Sequence, residues 1–369
     1  MANIDNKALL QRFLDYVQVD SETGDEKLMA ERLIKDLTEL GLEVYTQDVH
    51  QAANTTGCNI YATLPSTSDK EPLMFCSHMD TVVPGIGVKP IICEDGYVRS
   101  DGTTVLGGDD KAGICAIMEA VKAVRDVPHR TVEVVFTVRE ESGLYGSKAV
   151  DYSRIQSKVG IILDSGGGPD EIITGAPGQN KITAKIIGKK SHAGVSPELG
   201  ISAIQVAAHA VAKMNLLRID DETTCNIGTF KAEGATNIVN DQVELVMEVR
   251  SRDTGKLAQQ TDHMVNAMKE ACDQFGATME CDVMTSYLGY KHQDDHPVVA
   301  SIMEACRAIG LTPKTVNSGG GSDANVFNQN GIDACNMGVG MEKVHTTAEQ
   351  LNIRHMEQAS AVCLELMKA

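Results

Sequence analysis

The chain has 369 residues, of which 42% are hydrophobic and 23% charged, a composition that excludes intrinsic disorder. Acidic residues outnumber basic ones by 51 to 33, and the resulting formal charge of −18 excludes nucleic acid and anionic membrane surfaces as expected partners. A single hydrophobic core stops growing at roughly 250–300 residues, so we expect two domains.

The first part of the chain has the alternating pattern of an α/β fold. Amphipathic helices are predicted over residues 9–17 and 28–40, with a stop at Gly41. Short apolar runs then alternate with helical patterns, which indicates a sheet with helices on its faces. An apolar helix is predicted at 112–124, and strands are predicted at 59–64, 72–77, 132–138, 159–163 and 333–339.

The middle of the chain follows a different order of elements. That order is strand, helix, strand, strand, helix, strand, over 181–188, 201–214, 226–234, 242–250, 257–272 and 278–284. The βαββαβ order is the ferredoxin-like pattern, which closes into a compact unit. We therefore expect one domain built from residues 1–178 and 289–369, with a ferredoxin-like domain inserted at 179–288.

The cysteines and the amino terminus predict a cytoplasmic protein. Ten cysteines are scattered without any C-x-x-C pair, so no zinc knuckle or thioredoxin motif is indicated. Several, such as Cys76 and Cys115, lie in apolar runs, as is typical of buried thiols in a reducing compartment. The first residues lack the pattern of a signal peptide, and no apolar stretch approaches the ~20 residues of a membrane span.

Histidine and acidic side chains follow the predicted strands at the ends where open α/β sheets bind their ligands. One such residue alone is usually a turn residue or a helix cap, but here five segments bring candidates to the same rim. They are His78 and Asp80 after the strand at 72–77, Asp109 and Asp110 before the apolar helix, Glu140 and Glu141 after 132–138, Asp164 after 159–163, and His345 after 333–339.

This set of side chains suits a metal site. Imidazole and carboxylate together are typical ligands of Zn²⁺, with Co²⁺ or Mn²⁺ as alternatives. Two histidines and three carboxylates can hold two ions if one carboxylate bridges them. Of the adjacent Glu140 and Glu141, one can bind a metal while the other acts as a general base. Two metals about 3.5–4 Å apart can polarise a carbonyl and acidify a bridging water.

At these residues the sequence resembles the M20 family of dizinc peptidases, particularly its peptidase T-like members. The resemblance covers essentially the whole chain and implies a zinc-peptidase-like α/β/α catalytic domain, with the inserted domain acting as a lid and dimerisation domain. The matching motifs are S-H-M-D-T-V at 77–82, G-G-D-D-K-A-G at 107–113, E-E-S-G at 140–143, D-S-G at 164–166, S-H-A-G at 191–194 and V-H-T at 344–346.

The resemblance also implies how two zinc ions per subunit would be bound. His78 and Asp164 would bind one ion, Glu141 and His345 the other, and Asp109 would bridge them. The peptide bond that follows Asp109 is expected to be cis.

Further roles are implied for residues that do not bind metal. Asp80 would orient the first histidine, and Glu140 would act as the general base and then protonate the leaving amine. His192, in the inserted domain, would stabilise the tetrahedral oxyanion, often from the partner subunit, or would simply cap the following loop. Asn237 and Arg250 would contact the substrate carboxylate, unless the arginine two residues later does so or both arginines are plain surface.

These roles leave three hypotheses for function. The first is an aminopeptidase acting on short peptides, tripeptides by analogy with peptidase T, although the segment between Asp80 and Asp109 looks shorter than in peptidase T. The second is an amidohydrolase that deacylates N-acyl amino acids on the same metal centre. The third is a catalytically silent binding protein, which the presence of every ligand and of Glu140 disfavours. We also expect a homodimer formed through the exposed sheet edge of the inserted domain.

Overall fold

The structure is a computed structural model that describes residues 3–369. Within that range, no helix combines the length and the apolar character that crossing a membrane would require. The α-helices are α1 (Asn6–Val17), α2 (Lys27–Glu39), α3 (His50–Ala53), α4 (Gly108–Val124), α5 (Tyr145–Lys148), α6 (Ala203–Lys213), α7 (Thr254–Phe275), α8 (Pro297–Ala308), α9 (Asp323–Gln329) and α10 (Ile353–Met367). The strands are β1 (Glu43–Asp48), β2 (Cys58–Leu64), β3 (Leu73–His78), β4 (Ile91–Ile92), β5 (Tyr97–Arg99), β6 (Val132–Thr137), β7 (Val159–Gly166), β8 (Glu171–Ala176), β9 (Gly178–Ile187), β10 (Leu217–Arg218), β11 (Thr223–Lys231), β12 (Gln242–Ser251), β13 (Thr278–Tyr287), β14 (Tyr290–Lys291), β15 (Lys314–Asn317), β16 (Asp333–Glu342) and β17 (Gln350–Asn352).

The described chain divides into two compact units. The larger unit takes in the chain as far as Thr174, together with His292–Asn317 and Ser322–Ala369. The smaller unit takes in Gly175–Lys291 and Ser318–Gly321, a slightly longer stretch than residues 179–288.

A mixed sheet forms the centre of the larger unit, in the strand order β1-β2-β6-β3-β7-β16-β17-β5-β4. Its middle strands β6, β3, β7 and β16 run parallel to one another, whereas β1 and β2 are antiparallel to their neighbours. Every residue of β3 and β6 is buried. Parallel strands covered on both faces read as continuous apolar runs, which is the pattern that predicted them.

Helix α4 packs against this sheet and is itself covered by α1 and α10. Its sequence is rich in alanine and isoleucine, and nearly every residue from Gly108 to Val124 is buried. Small side chains allow helices and strands to approach closely, so α4 can lie in the middle of the core. Its first turn lies beside the carboxyl ends of the parallel strands, which positions the residues described below.

The smaller unit is a five-stranded antiparallel sheet in the order β10-β11-β12-β9-β13. Along β12 the side chains of Val243, Leu245, Met247 and Val249 are buried, and they alternate with more exposed residues. Helices α6 and α7 pack against β12 and β9 of this sheet. Apart from the short strand β10, this is the predicted βαββαβ order, so the α/β fold with a ferredoxin-like insertion is confirmed.

The structure differs from the prediction at element boundaries and in elements that were not predicted. Strand β7 continues to Gly166, so Asp164 lies inside the end of this strand rather than after it. Strand β1 was not predicted, because its residues are exposed or only partly buried and show no apolar alternation. Helix α10 was also missed, although Asn352 caps it with a side-chain hydrogen bond to the backbone N–H of His355.

Candidate metal centre

The carboxyl ends of the parallel strands bring the predicted metal ligands to one edge of the sheet. His78 is the last residue of β3, and Asp164 lies near the end of β7. Glu141 follows the end of β6, and His345 follows the end of β16. Asp109 enters from the first turn of α4. The structure thus brings all five predicted ligands together within the larger unit.

Asp109 stands between the two histidines. Its Oδ1 lies 3.1 Å from Nε2 of His78, and its Oδ2 lies 3.4 Å from Nε2 of His345. Asp109 is only 8% exposed. The peptide bond that joins it to Asp110 is cis, as expected. A carboxylate with one oxygen directed at each imidazole has the arrangement of a bridging ligand.

The ring of His78 is oriented by Asp80. Its Nδ1 lies 2.9 Å from the backbone carbonyl oxygen of Asp80 and 3.4 Å from Oδ1 of the same residue. Since both neighbours are acceptors, Nδ1 carries a proton and donates it. Its Nε2 faces Asp109, lies 3.9 Å from Oδ1 of Asp164, and is the atom that could bind a metal once it has released its own proton.

His345 and Glu141 form a second pair of ligand side chains. Nε2 of His345 lies 2.9 Å from Oε2 of Glu141. The other oxygen of Glu141, Oε1, is buried and has no hydrogen-bond partner among the described residues. A buried carboxylate oxygen without a partner is costly unless a cation or water satisfies it. This oxygen is direct evidence that the site suits a cation.

Two groups of side chains have ligand atoms within 4.8 Å of one another, the spacing that a metal ion requires. One consists of His78, Asp109 and Glu141, and the other of His78, Asp110 and Asp164. Asp110 was not predicted to be a ligand. Its Oδ2 accepts the backbone N–H of His78 at 3.4 Å, and its Oδ1 accepts the backbone N–H of Gly113 at 3.2 Å.

The electrostatics of the cluster favour a bound cation. Burial, followed by the charge of Asp164, raises the pKa of Glu140 well above its usual range. Burial also raises the pKa of Asp164 itself. Hydrogen bonds to Asp109 and Glu141 raise the pKa of His345 to about 10. Buried carboxylates at this density draw positive charge to themselves, which in the metal-free protein can only come from protons.

The predicted general base is held by its backbone. The N–H of Glu140 donates to Oδ1 of Asp80 at 2.9 Å, and the N–H of Glu141 lies 3.3 Å from Oδ2. Before them, Arg139 has a positive φ of 50°, and its guanidinium donates to the carbonyl oxygens of Ala53 and Asn54. This side of the site is thus fixed by hydrogen bonds on both flanks of the glutamate pair.

The remaining predicted residues lie in the smaller unit. His192 and Asn237 are exposed, and they lie close together because the N–H of Ala193 donates to the carbonyl oxygen of Asn237 at 2.9 Å. Nδ1 of His192 accepts a hydrogen bond from the N–H of Gly194 at 3.2 Å. Arg250 is half-buried on β12.

Glu248, a neighbour of Arg250 on β12, pairs with its guanidinium. Oε1 of Glu248 lies 3.0 Å from Nε, and Oε2 lies 3.1 Å from Nη2. The arginine two residues after Arg250 donates from Nη2 to the carbonyl oxygen of Asp221 at 2.9 Å instead. The two arginines that the sequence could not separate therefore have different surroundings.

One buried acidic residue near the centre was missed by the sequence analysis. Glu349 is 2% exposed, and its carboxylate accepts hydrogen bonds from three backbone N–H groups of the segment that ends in Asp109. Burial raises its pKa to about 7. The sequence offered only its position, four residues after His345. A side chain that accepts backbone N–H groups follows no sequence pattern, so nothing else in the sequence pointed to Glu349.

A parallel sheet with this imidazole and carboxylate cluster at its carboxyl edge is the arrangement of a metal-dependent hydrolase. The chain belongs to peptidase family M20/M25/M40, whose model matches residues 74–369. A dinuclear metal site is typical of this family, and the groups around His78 are candidate ligands for it.

Relatives of the whole chain agree with this membership. A tripeptidase from Staphylococcus aureus has a solved structure with a TM-score of 0.95 and 40% identity, over 99% of this chain and 98% of that one. The solved structure of aminopeptidase PepT from Bacillus cereus has a TM-score of 0.91 and 44% identity, again over 99% of this chain and 98% of that one. Protein YqjE of Bacillus subtilis is 43% identical over 99% of both chains. The chain is thus a metallopeptidase of the M20 family that resembles peptidase T.

Proposed function

We propose that the chain is an aminopeptidase that removes the amino-terminal residue from tripeptides, using two Zn²⁺ ions bound at the cluster around Asp109. The observation that carries this proposal is the position of Asp109, with one carboxylate oxygen 3.1 Å from His78 and the other 3.4 Å from His345. The similarity over the full chain to a tripeptidase and to an aminopeptidase supports the substrate class.

The ligands divide into two sets that share a bridge. We assign His78 and Asp164 to one ion, Glu141 and His345 to the other, and Asp109 to both. Asp110 is left out because the family resemblance assigns the shared ligand to Asp109, whose two oxygens face the two histidines. Imidazole nitrogen and carboxylate oxygen are usual ligands of Zn²⁺, and the same donors would accept Co²⁺ or Mn²⁺.

When bound, such a pair of ions polarises the scissile carbonyl and lowers the pKa of the attacking water. Glu140 then accepts a proton from this water at its carboxylate and later delivers it to the leaving amine. Asp80 keeps the ring of His78 and the backbone of Glu140 in place. Burial raises the pKa of Glu140 in the metal-free chain, and two bound cations would lower it again so that the carboxylate could accept the proton.

Substrate contacts are assigned to the smaller unit, which we propose acts as the lid domain that the family resemblance implies. Since Nδ1 of His192 accepts a backbone N–H, its neutral ring carries the proton on Nε2 and can donate it to a tetrahedral oxyanion. Asn237 lies beside His192 and, with Arg250, would bind the carboxylate of the substrate. The guanidinium of Arg250 keeps its positive charge while it pairs with Glu248, so it still attracts a carboxylate.

A substrate panel tests the proposal. Zinc-loaded enzyme is incubated with trialanine, N-acetyl-trialanine and N-acetyl-alanine, and the released amines are quantified by chromatography. We expect alanine to be released from trialanine, and the acetylated substrates to be cleaved at least about 10²-fold more slowly. Faster cleavage of N-acetyl-alanine would indicate an amidohydrolase. Protein that binds two zinc ions but cleaves none of the three would indicate a binding protein.

We further propose that the chain forms a homodimer through the smaller unit and works in the cytoplasm. Strand β13 pairs with β9 on one side and has no strand partner on its other side within residues 3–369. Val283 and Met284 on this edge strand are 44% and 52% exposed. A lysine on an edge strand opposes pairing, so Met284→Lys should shift the wild-type dimer toward monomer in light scattering at micromolar concentration. A monomeric wild type would contradict this proposal.

A further inference from the structure

The carboxylate of Glu349 is enclosed by the backbone of the segment that carries Asp109. Its Oε2 accepts the N–H groups of Leu106 and Gly107 at 2.7 and 2.9 Å, and its Oε1 accepts the N–H of Asp109 at 3.0 Å. A Cβ atom placed on Gly108 would lie 3.1 Å from Oε1 of Glu349. The segment therefore wraps closely round this one side chain.

These N–H groups lie just before α4 and at its second residue, where Asp109 has non-helical backbone angles. Buried backbone donors need an acceptor, and the carboxylate of Glu349 supplies it for all three. Gly107 has a left-handed φ of 75°, which turns the chain so that consecutive N–H groups face the same acceptor. The backbone position of Asp109 thus depends on Glu349.

Glu349 also belongs to the segment that carries His345. Its backbone N–H donates to the carbonyl oxygen of Thr346 at 3.1 Å, within the turn that follows the histidine. The next residue, Gln350, begins β17 and pairs with Glu342 of β16. The backbone of Glu349 is therefore fixed at both ends, and its side chain connects this turn to the segment of Asp109.

The ring of His345 contacts Glu141 at 2.9 Å and Asp109 at 3.4 Å but is otherwise open to solvent. Its side chain is 53% exposed, in contrast to 2% for His78. It also has a left-handed φ of 62°, a conformation that a non-glycine residue adopts only where its surroundings impose it. The distance of 3.4 Å between Oδ2 of Asp109 and Nε2 of His345 therefore depends on the connection that Glu349 makes.

We propose that Glu349 is a positioning residue that holds Asp109 opposite His345 and thereby sets the affinity of the metal site that these two ligands share with Glu141. The inference rests on the ligand assignment of the proposed function. It adds that the site on the side of His345 responds more strongly to a change at Glu349, because Glu349 is connected to both Asp109 and the turn that follows His345, but to no ligand other than Asp109 on the side of His78.

Zinc binding provides the test. In Glu349→Gln an NH₂ group, which cannot accept a hydrogen bond, replaces one of the two carboxylate oxygens. The backbone N–H groups that face it lose their acceptor, so at least one of the three hydrogen bonds is lost. Metal-free protein is titrated with Zn²⁺ in competition with a chromophoric chelator, which gives both dissociation constants without any peptide. We expect one of the two ions to bind about 10–100-fold more weakly, the usual effect of losing a residue that orients a ligand.

Two comparisons show which ion is affected and why. His345→Ala identifies the ion on its own side, and adding Glu349→Gln to it should have little further effect on the remaining ion. Glu133→Gln is the matched control, because Glu133 is buried and its carboxylate accepts the backbone N–H groups of Gln156 and Ser157 far from any proposed ligand. This control should bind both ions like the wild type.

Activity supplies a second readout. Because Glu349→Gln keeps every ligand and Glu140, saturating zinc should restore kcat. Unchanged affinities in the folded variant, an equal loss at both sites, or the same loss in Glu133→Gln would overturn the positioning role. Should Glu349→Gln fail to fold, Glu349→Asp, which keeps the charge on a shorter side chain, must weaken the same ion. A wild type that binds fewer than two zinc ions would instead refute the metal assignment itself.

Discussion

Oδ1 of Asp80 accepts the backbone N–H of Glu140 at 2.9 Å and lies 3.4 Å from Nδ1 of His78. Oδ2 of the same carboxylate accepts the hydroxyl of Thr23 at 2.8 Å and lies 3.3 Å from the N–H of Glu141. Asp80 is fully buried. One side chain therefore aligns an imidazole proposed to bind metal and the backbone of the glutamate proposed to move protons, so a change at Asp80 affects both.

Asp80→Asn is expected to lower kcat/KM by about 10–100-fold. All the groups around this carboxylate are donors, and the asparagine NH₂ must face one of them, which displaces either His78 or the backbone of the glutamate pair. The measurement is steady-state kinetics on trialanine at saturating zinc, together with zinc content by elemental analysis.

Thr23→Val is the matched control for Asp80→Asn. It removes only the hydroxyl at 2.8 Å from Oδ2 and keeps the shape of the side chain. The loss of one hydrogen bond to a charged carboxylate is worth about 1.5–3 kcal/mol, so we expect a decrease in stability of that size and nearly unchanged kinetics. Wild-type kcat/KM in Asp80→Asn would show that alignment by this carboxylate is unimportant.

Glu140→Gln should separate metal binding from turnover. The variant keeps every proposed ligand, so it should still bind two zinc ions, whereas kcat should fall by about 10²–10⁴-fold because the amide cannot accept a proton. Glu119→Gln is a suitable control, because Glu119 is buried on α4 in an ion pair with Lys122 and takes no part in the proposed chemistry. If Glu140→Gln keeps more than about a tenth of the wild-type kcat, another group is the base.

Removal of zinc should destabilise the larger unit as well as abolish activity. The buried carboxylates of Asp109, Glu141 and Asp164 lie close together, and without cations they must repel one another or take up protons. An ion present at 100 times its dissociation constant stabilises the folded state by about 2.7 kcal/mol. Calorimetry of the chelated and zinc-loaded protein should show a higher Tm with zinc, and identical Tm values would argue against a structural metal centre.

The fold was predictable from sequence wherever burial imposes a strong pattern. The parallel strands at 72–77 and 132–138 are mostly apolar because both faces are covered, and β12 of the smaller unit alternates because one face is covered. Strand β1 has no such pattern, since it lies at the exposed edge of the sheet and only its backbone pairing with β2 defines it. Tertiary contacts determine whether such a strand forms, so sequence periodicity cannot predict it.

The candidate site was predictable to the extent that strand ends determine it. His78 and Asp164 could be predicted because each lies at the carboxyl end of a strand, and parallel strands end at the same edge of the sheet. The relation of Asp110 and Glu349 to the centre could not be predicted in the same way. Asp110 is brought near by the backbone at the start of α4, and Glu349 acts on backbone N–H groups that any residues in the segment would supply.

Arg250→Ala should weaken the recognition of peptides with a free carboxyl terminus. Glu248 takes up the Nε and Nη2 edge of the guanidinium, and Gln179 donates to Oε2 of Glu248 at 2.6 Å, so the arginine is held in one orientation. A lost hydrogen bond to a charged group costs about 1.5–3 kcal/mol, which corresponds to roughly a 10–150-fold lower kcat/KM for trialanine. Trialanine amide, which lacks the carboxylate, should be affected much less.

Arg252→Ala separates this role from a general effect of charge on the smaller unit. Its guanidinium donates to the carbonyl oxygen of Asp221 at 2.9 Å, so we expect a modest loss of stability and the same ratio of kcat/KM between trialanine and its amide as in the wild type. Both variants remove one positive charge from the smaller unit, so a general effect of charge would change the ratio equally in both. We expect only Arg250→Ala to change it. A ratio that stays constant in Arg250→Ala, or that changes in Arg252→Ala instead, would mean that the carboxylate is bound elsewhere.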